Sequence, residues 1–369
     1  MSDKARYITY DDVNRSLHEN EATLPSLKPG EILVKILFTT LCRSDIYTYL
    51  GRRKEKNPTI LGHEIVGEIT TCAPNAVLKD LRGYPLKVGD RITWAIYASD
   101  PDDKMSKSGM PQKSENLFKY GHEKLTDQSL FHGGLAEFII LRKHTPVVII
   151  HDDMPHSAAA LINCSVATVA GAMRLAGSLK DKNVLIYGAG MLGTIACAMA
   201  KRGNAHKVIA ADKDLQRSMR AVQFGADEFI SVSNNPNETI SVMGSDEHVL
   251  NDIDVVLEFS GIPEAIMFAL SKLNVGGKAI LVGSTFRQQD ISINAEMIVR
   301  KLLTIQGLHN YNDRDLVSAV AFMESAWHLF PFEELVSAHF NLSQVSEAFE
   351  YAVEHNPYRV GIDMQLKKK

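Results

Sequence analysis

The stretch that most constrains this chain spans residues 183–212. Asn183-Val184-Leu185-Ile186-Tyr187 is a short apolar run of strand type, and Gly188-Ala189-Gly190-Met191-Leu192-Gly193 follows at once. Met191, Leu192, Ile195, Ala196 and Met199 then recur at helical spacing, and residues 207–211 read as a second buried strand ending on Asp212. Strand, glycine turn, helix, strand and acid in that order make a dinucleotide-binding unit, and each part has a physical reason. Gly188 permits the tight turn, Gly190 lets backbone approach a pyrophosphate, and Gly193 lets the helix pack close to the strand. The helix N-terminus offers unpaired N–H groups and partial positive charge to the phosphates. Asp212, 24 residues after Gly188, stands where a carboxylate can accept both hydroxyls of an adenosine ribose.

A chain of 369 residues has room for two domains, each with an ordinary core. The net charge of -4 and a pI near 6.4 argue against a nucleic-acid partner bound through bulk electrostatics. No apolar run approaches the roughly 18 residues that span a bilayer, so no membrane partner is expected. Met1-Ser2-Asp3-Lys4-Ala5-Arg6 lacks the apolar segment of a signal peptide. Cys42, Cys72, Cys164 and Cys197 are too few for a disulfide framework and fit a reducing cytoplasm. There is no internal repeat or low-complexity segment, and Lys367-Lys368-Lys369 reads as a solvated end.

The first part of the chain is β-rich. Residues 31–39, after the Lys28-Pro29-Gly30 turn, and residues 65–70, 91–96 and 137–141 are strand candidates broken by Gly, Asp and Pro. From Ser165 the character changes. Strand candidates near 184–187, 208–211, 229–232, 254–258, 279–282 and 303–306 alternate with helical patterns, which is the pattern of a doubly wound parallel sheet. The alternation stops after Gly307. The expected division is therefore 1–164 with 308–369 in one domain and 165–307 in the other.

Chemistry-bearing residues gather in the β-rich part. Cys42-Arg43-Ser44-Asp45, Gly62-His63-Glu64 and Asn163-Cys164 offer two thiols, an imidazole and a carboxylate. Three such ligands with an open fourth position make a catalytic-zinc set. Each piece also has a plainer reading, as a buried thiol, a structural histidine or a turn. Spacing leaves both readings open, because the residues are scattered along the chain.

These segments carry a resemblance. Cys42-Arg43-Ser44-Asp45, Pro58-Thr59-Ile60-Leu61-Gly62-His63-Glu64, Asp80-Leu81-Arg82-Gly83, Val88-Gly89-Asp90-Arg91, Leu117-Phe118-Lys119-Tyr120-Gly121-His122-Glu123, Asn163-Cys164 and the glycine turn make the chain similar, over nearly its whole length, to zinc-dependent medium-chain alcohol dehydrogenases. Within that family it most resembles the phosphonate-catabolism-associated group. The resemblance implies an α/β fold with a GroES-like β-rich catalytic domain and a Rossmann domain for the cofactor. It implies Cys42, His63 and Cys164 as ligands of a catalytic zinc, and Glu64 as a carboxylate beside the metal that can swing in. Asp45 would orient the zinc histidine, Ser44 would first take the alcohol proton, and Thr168 would pack behind the nicotinamide. Arg43 and Arg359 would meet the pyrophosphate, and Arg217 would lie near the adenosine ribose. With Gly188, Gly190, Met191, Leu192, Gly193, Asp212, Lys213 and Gly283 these complete the cofactor-binding set.

Two departures from the family pattern stand out. The proton relay of many members ends on a histidine five positions after the first zinc cysteine, where this chain has Tyr47. A phenol is a poorer base at pH 7 than an imidazole, though it can still hydrogen-bond a relay. Many members also hold a structural zinc with four cysteines. The matching lobe, residues 97–124, has no cysteine and offers Asp100, Asp103, Ser106 and Ser114 at that spacing. Such a set should not hold zinc, so one zinc per chain is expected.

The implied activity is hydride transfer between a small polar alcohol and NAD, with zinc as the Lewis acid and a phosphonate-bearing alcohol among the candidate substrates. His122, His309 and Arg52-Arg53 could meet an anionic head group. A homodimer or homotetramer is expected. Other readings are a cyclitol or sugar-alcohol dehydrogenase, a zinc-free quinone-reductase-like enzyme, and a catalytically weak nucleotide-binding sensor.

Overall fold

The computed structural model describes residues 4–127, 129–232, 239–241 and 250–366. The lysine tail at 367–369 lies outside the described residues. The chain forms two compact units: Met1–Cys164 with Asn312–His328 and Phe332–Lys369, and Ser165–Tyr311 with Leu329–Pro331.

In the first unit the central element is the strand Ile32–Leu41, whose apolar, β-branched sequence is buried almost throughout. It pairs antiparallel with Glu64–Cys72, with Arg359–Asp363 and with Phe138–Leu141. Arg91–Trp94 and Val147–Ile149 extend the sheet on one side and Val336–Phe340 on the other. Ile32, Val34, Ile36, Ile65, Ile69, Ile92, Trp94, Ile139 and Ile362 fill one core, together with Val345, Ala348 and Phe349 of the helix Val345–His355. The C-terminal segment thus supplies two strands and a helix to the sheet that carries Glu64. A hairpin of Lys4–Asp11 and Ser16–Thr23, absent from the sequence reading, precedes them.

The second unit is a seven-stranded sheet in the order Thr239–Ser241, Glu228–Val232, Lys207–Asp212, Asn183–Tyr187, Ile253–Glu258, Leu273–Leu281 and Thr304–Gly307. All neighbours are parallel except the first pair. The six alternating strands of the sequence reading are all present. Asn183–Tyr187 lies in the middle, where the strand order reverses, and in such sheets this switch point is where a ligand is received.

One expectation needs correcting. The helical stretch His156–Ala176, 21 residues long, is long and apolar enough to cross a bilayer by length and composition. Its alanines and lack of acids give it that character, but most of it is buried against protein, as in a core helix.

Asp80 shows how loops of the first unit are fixed. Its carboxylate accepts from the N–H groups of Arg82 (2.8 Å), Tyr84 (3.0 Å) and Ile149 (3.2 Å), while Arg82 reaches Glu324 at 3.0 Å. Asp80→Ala leaves these amides without their acceptor. It should lower stability by about 2 kcal/mol, read as a lower urea midpoint of the transition that includes Trp94 fluorescence.

Candidate active site and dinucleotide turn

Cys42 closes the strand Ile32–Leu41 and is the N-cap of the helix Arg43–Tyr49. Asp45, one turn into that helix, is buried. Its Oδ2 accepts the Cys42 N–H at 2.8 Å, and its Oδ1 accepts the Gly62 N–H at 3.3 Å. The same Oδ1 lies 3.4 Å from Nδ1 of His63, an ion-pair separation rather than a well-aligned hydrogen bond. With Nδ1 on the Asp45 side, Nε2 is the nitrogen left for a metal, and it lies 3.5 Å from Ser44 Oγ. His63 sits in a loop that cannot tolerate side chains around it. Gly62 has φ of +87°, and a Cβ on Gly121 would come within 2.5 Å of the Gly62 carbonyl oxygen.

Cys164 arrives from a different direction, in a π-helical turn, Ile162–Val166, between two α-helical segments. Such wide turns re-aim a side chain that a regular helix would point elsewhere. Next to it, Asn163 Oδ1 accepts the Ile65 N–H at 3.1 Å and ties the turn to the His63 strand. The ligand atoms of Cys42, His63 and Cys164 all lie within 4.8 Å of one another.

The electrostatics suit a cation. Cys164, helped by Arg359 and His63, pulls the Cys42 thiol well below the usual thiol range, while Cys42 and burial push Cys164 above it. Burial opposes charge on His63, but Asp45 and the Cys42 thiolate outweigh it, and its pKa is pushed up to about 10. The anions that hold this proton are the ones that would hold a metal ion in its place. Two thiolates and an oriented imidazole fit zinc.

Glu64 is fully buried at the start of the next strand, accepting from Arg359 Nη2 at 2.8 Å and from Thr40 Oγ1. To reach a metal it would have to leave both. Arg359, on the strand Arg359–Asp363, also lies 3.5 Å from Cys42 Sγ and donates to the Tyr358 carbonyl. Its guanidinium is therefore engaged inside the first unit. The Arg43 guanidinium lies over the Tyr47 ring at 5.9 Å.

In the second unit the glycine turn has the geometry its sequence calls for. Gly188 has φ of +93°, and a Cβ there would lie 2.8 Å from the Ser260 nitrogen. A Cβ on Gly193 would run into the Gly188 carbonyl oxygen. Gly190, the N-cap of the helix Met191–Arg202, faces open space with only Arg217 Nη1 within 4 Å of its added Cβ. The space beside Gly190 is open, and Arg217 lies at its edge, beside the turn itself. Asp212 Oδ2 accepts the Ala189 N–H at 2.7 Å and its Oδ1 the Asp214 N–H at 2.9 Å. Lys213 is exposed, and Thr168 is the partly exposed residue among buried Ala167, Val169 and Ala170. Gly283 is packed on the Phe259 backbone and Gly261.

The sequence reading passed over Glu258. This buried carboxylate accepts from Ser260 N (2.7 Å) and Gly261 N (2.8 Å), and burial raises its pKa. It shapes the turn that meets Gly188 and Gly283. Asp103 was read only as a failed zinc position. It caps the helix Lys104–Lys107 through Met105 N (2.8 Å) and Ser106 N (3.3 Å) and also accepts the Glu115 N–H at 3.3 Å. One carboxylate thereby joins both arms of the lobe.

A β-rich unit with a convergent Cys2His donor set and a Rossmann unit with a glycine turn define a dehydrogenase. Residues 28–152 match the alcohol dehydrogenase GroES-like domain, and residues 192–325 match the zinc-binding dehydrogenase domain. L-threonine 3-dehydrogenase of Pyrococcus furiosus is 30% identical over 296 residues, 78% of each chain. The alcohol dehydrogenase structure from Thermotoga maritima superposes with a TM-score of 0.87 at 24% identity, over 98% of this chain and 99% of that one. Galactitol-1-phosphate dehydrogenase from Escherichia coli gives 0.80 at 23% identity, over 97% and 99%. The chain belongs to the zinc-dependent medium-chain alcohol dehydrogenase family and is an oxidoreductase.

Gly193→Ala tests the turn. The added methyl group forces helix and turn apart, and NADH binding, followed by fluorescence titration, should weaken by roughly tenfold or more.

Proposed function

We propose that this chain is an NAD-dependent alcohol dehydrogenase with one catalytic zinc, held by Cys42, His63 and Cys164, acting on a small polar alcohol. The observation that carries this reading is the convergence of those three ligand atoms within 4.8 Å beside a histidine-orienting carboxylate. Zinc bound there supplies a Lewis acid that lowers the pKa of an alcohol or polarises a carbonyl. Asp45 holds the His63 ring and the Cys42 cap in one arrangement. Ser44, with Oγ near His63 Nε2, receives the substrate proton. Tyr47, three residues further along the same helix, is the candidate next hydroxyl. Glu64 stays paired with Arg359 and supplies negative charge behind the thiolates.

The relatives' names point to threonine and galactitol 1-phosphate, both polar alcohols, as their substrates. A phosphonate-bearing alcohol and a cyclitol both fall in that class. The four sulfur or nitrogen ligands of a closed structural site are missing from the 97–124 lobe, which Asp103 orders instead, so the expected count is one zinc. Cys42→Ala and Cys164→Ala should each abolish turnover while NADH binding stays close to wild type. Metal analysis of the dialysed wild-type chain should return about one zinc. Near-normal activity in either variant removes that residue from the ligand set, and about two zinc per chain would show that the lobe holds one.

Cofactor choice follows from Asp212. Its carboxylate at the end of the strand Lys207–Asp212 would repel a 2′-phosphate, while Lys213 is exposed and Arg217 lies over the Gly190 cradle. Comparison of kcat/KM should favour NAD over NADP. Asp212→Gly should narrow that preference and also lower kcat/KM for NAD, because Ala189 loses its acceptor. A wild-type preference for NADP would overturn the assignment.

A further inference from the structure

Beside the thiolate–imidazole centre lies a group of charged side chains that the chemistry above leaves unused. The His122 ring packs on His63 with centroids 4.9 Å apart. His122 Nδ1 and Arg53 Nε both meet Glu55 Oε1, each at 2.8 Å. Glu55 is 9% exposed and Arg53 27%, so this pairing is well shielded from water. Lys119, three residues before His122, lies in the short strand Phe118–Lys119 and is partly buried. Among the described residues its ammonium has no ion-pair partner, and its neighbours Lys56 and Glu123 already neutralise each other at 2.5 Å. Burial first, and then repulsion by Arg53, lower the Lys119 pKa, while Cys164 and Glu55 oppose this. The Lys119 carbonyl accepts the His122 N–H at 3.2 Å, which sets the base of its side chain beside the ring that meets Glu55.

The charge count is uneven. Arg53 and Lys119 bring two cations, while Glu55 pairs with Arg53 and is itself shared with His122. A shielded cation without a counter-ion is unfavourable unless something else supplies the charge. A neutral polyol would leave the excess in place. An oxyanion would cancel it and accept the donors of an ammonium and a guanidinium together.

We propose that Lys119 and Arg53 form an anion subsite beside the Cys42–His63–Cys164 centre, and that the alcohol substrate carries an oxyanion head group, a phosphonate, phosphate ester or carboxylate. Glu55 positions the Arg53 guanidinium, and the His122 ring bridges from Glu55 to His63. This inference rests on the reading of the centre as the alcohol-oxidising site.

The test uses the full zinc-loaded chain and two probes, methylphosphonate and acetate, titrated by calorimetry. Methylphosphonate should bind, Lys119→Met should weaken it by about tenfold or more, the loss of one charge-assisted contact, and Lys119→Arg should restore it. Acetate binding better than methylphosphonate would assign a carboxylate head group instead. In turnover, the ratio of kcat/KM for a short hydroxyalkyl phosphonate or hydroxy acid to that for 1,2-propanediol should fall by about tenfold in Lys119→Met. If neither probe binds, or Lys119→Met binds both as well as wild type, the subsite is overturned, and turnover of neutral alcohols would leave the dehydrogenase reading standing. Lys119-dependent anion binding in a chain that retains no zinc and oxidises no alcohol would overturn the dehydrogenase reading instead.

Discussion

The carboxylate of Asp45 is the interaction on which the geometry of the proposed zinc site depends. It bonds the Cys42 amide at the helix start, the Gly62 amide in the histidine loop, and faces the imidazole of His63. Cys42 and His63, 21 positions apart in sequence, are thereby fixed by one buried side chain. Because Asp45 is itself on the helix that Cys42 caps, the arrangement is short and stiff. Glu64 and Arg359 form a second buried pair behind it, tying the C-terminal strand to the same centre. Removing either partner of such a pair leaves an uncompensated charge, which is far more costly than the pair is stabilising.

The second unit solves a different problem with less side-chain chemistry. Its turn works through what is missing: no Cβ at Gly188, Gly190 or Gly193, so that backbone can crowd backbone and leave one open cradle. Asp212 has two duties there, bonding the Ala189 amide and standing at the strand end. The carboxylate proposed to select the cofactor is thus also the one that holds the turn, so a change at Asp212 will be felt in the turn geometry.

The parts legible in the sequence were those with local causes. The glycine turn is a backbone requirement written in consecutive residues, and the alternating strands of residues 183–307 follow from apolar runs at regular intervals. Cys42, His63 and Cys164 could be offered as a zinc set from their chemistry but chosen over the plainer readings only through resemblance, because their meeting depends on three segments brought together by the whole first sheet. Glu55, Lys119 and Glu258 gave no signal, since a charged residue in a loop looks solvated until its neighbours are known. The helical stretch His156–Ala176 was misjudged because alanine-rich burial reads as less apolar than it is. Asp103 looked like a lost metal ligand and is a helix cap whose second oxygen reaches across the lobe.

The π-helical turn at Ile162–Val166 has an evolutionary consequence. Loss of one residue there would restore a regular helix with better internal hydrogen bonding, yet swing the Cys164 side chain by about 100° around the axis. A deletion that improves the local helix would thus carry Cys164 away from Cys42 and His63. Descendants of this chain are held to the length of that turn as well as to Asn163 and Cys164 within it, and insertions or deletions should be tolerated only outside it.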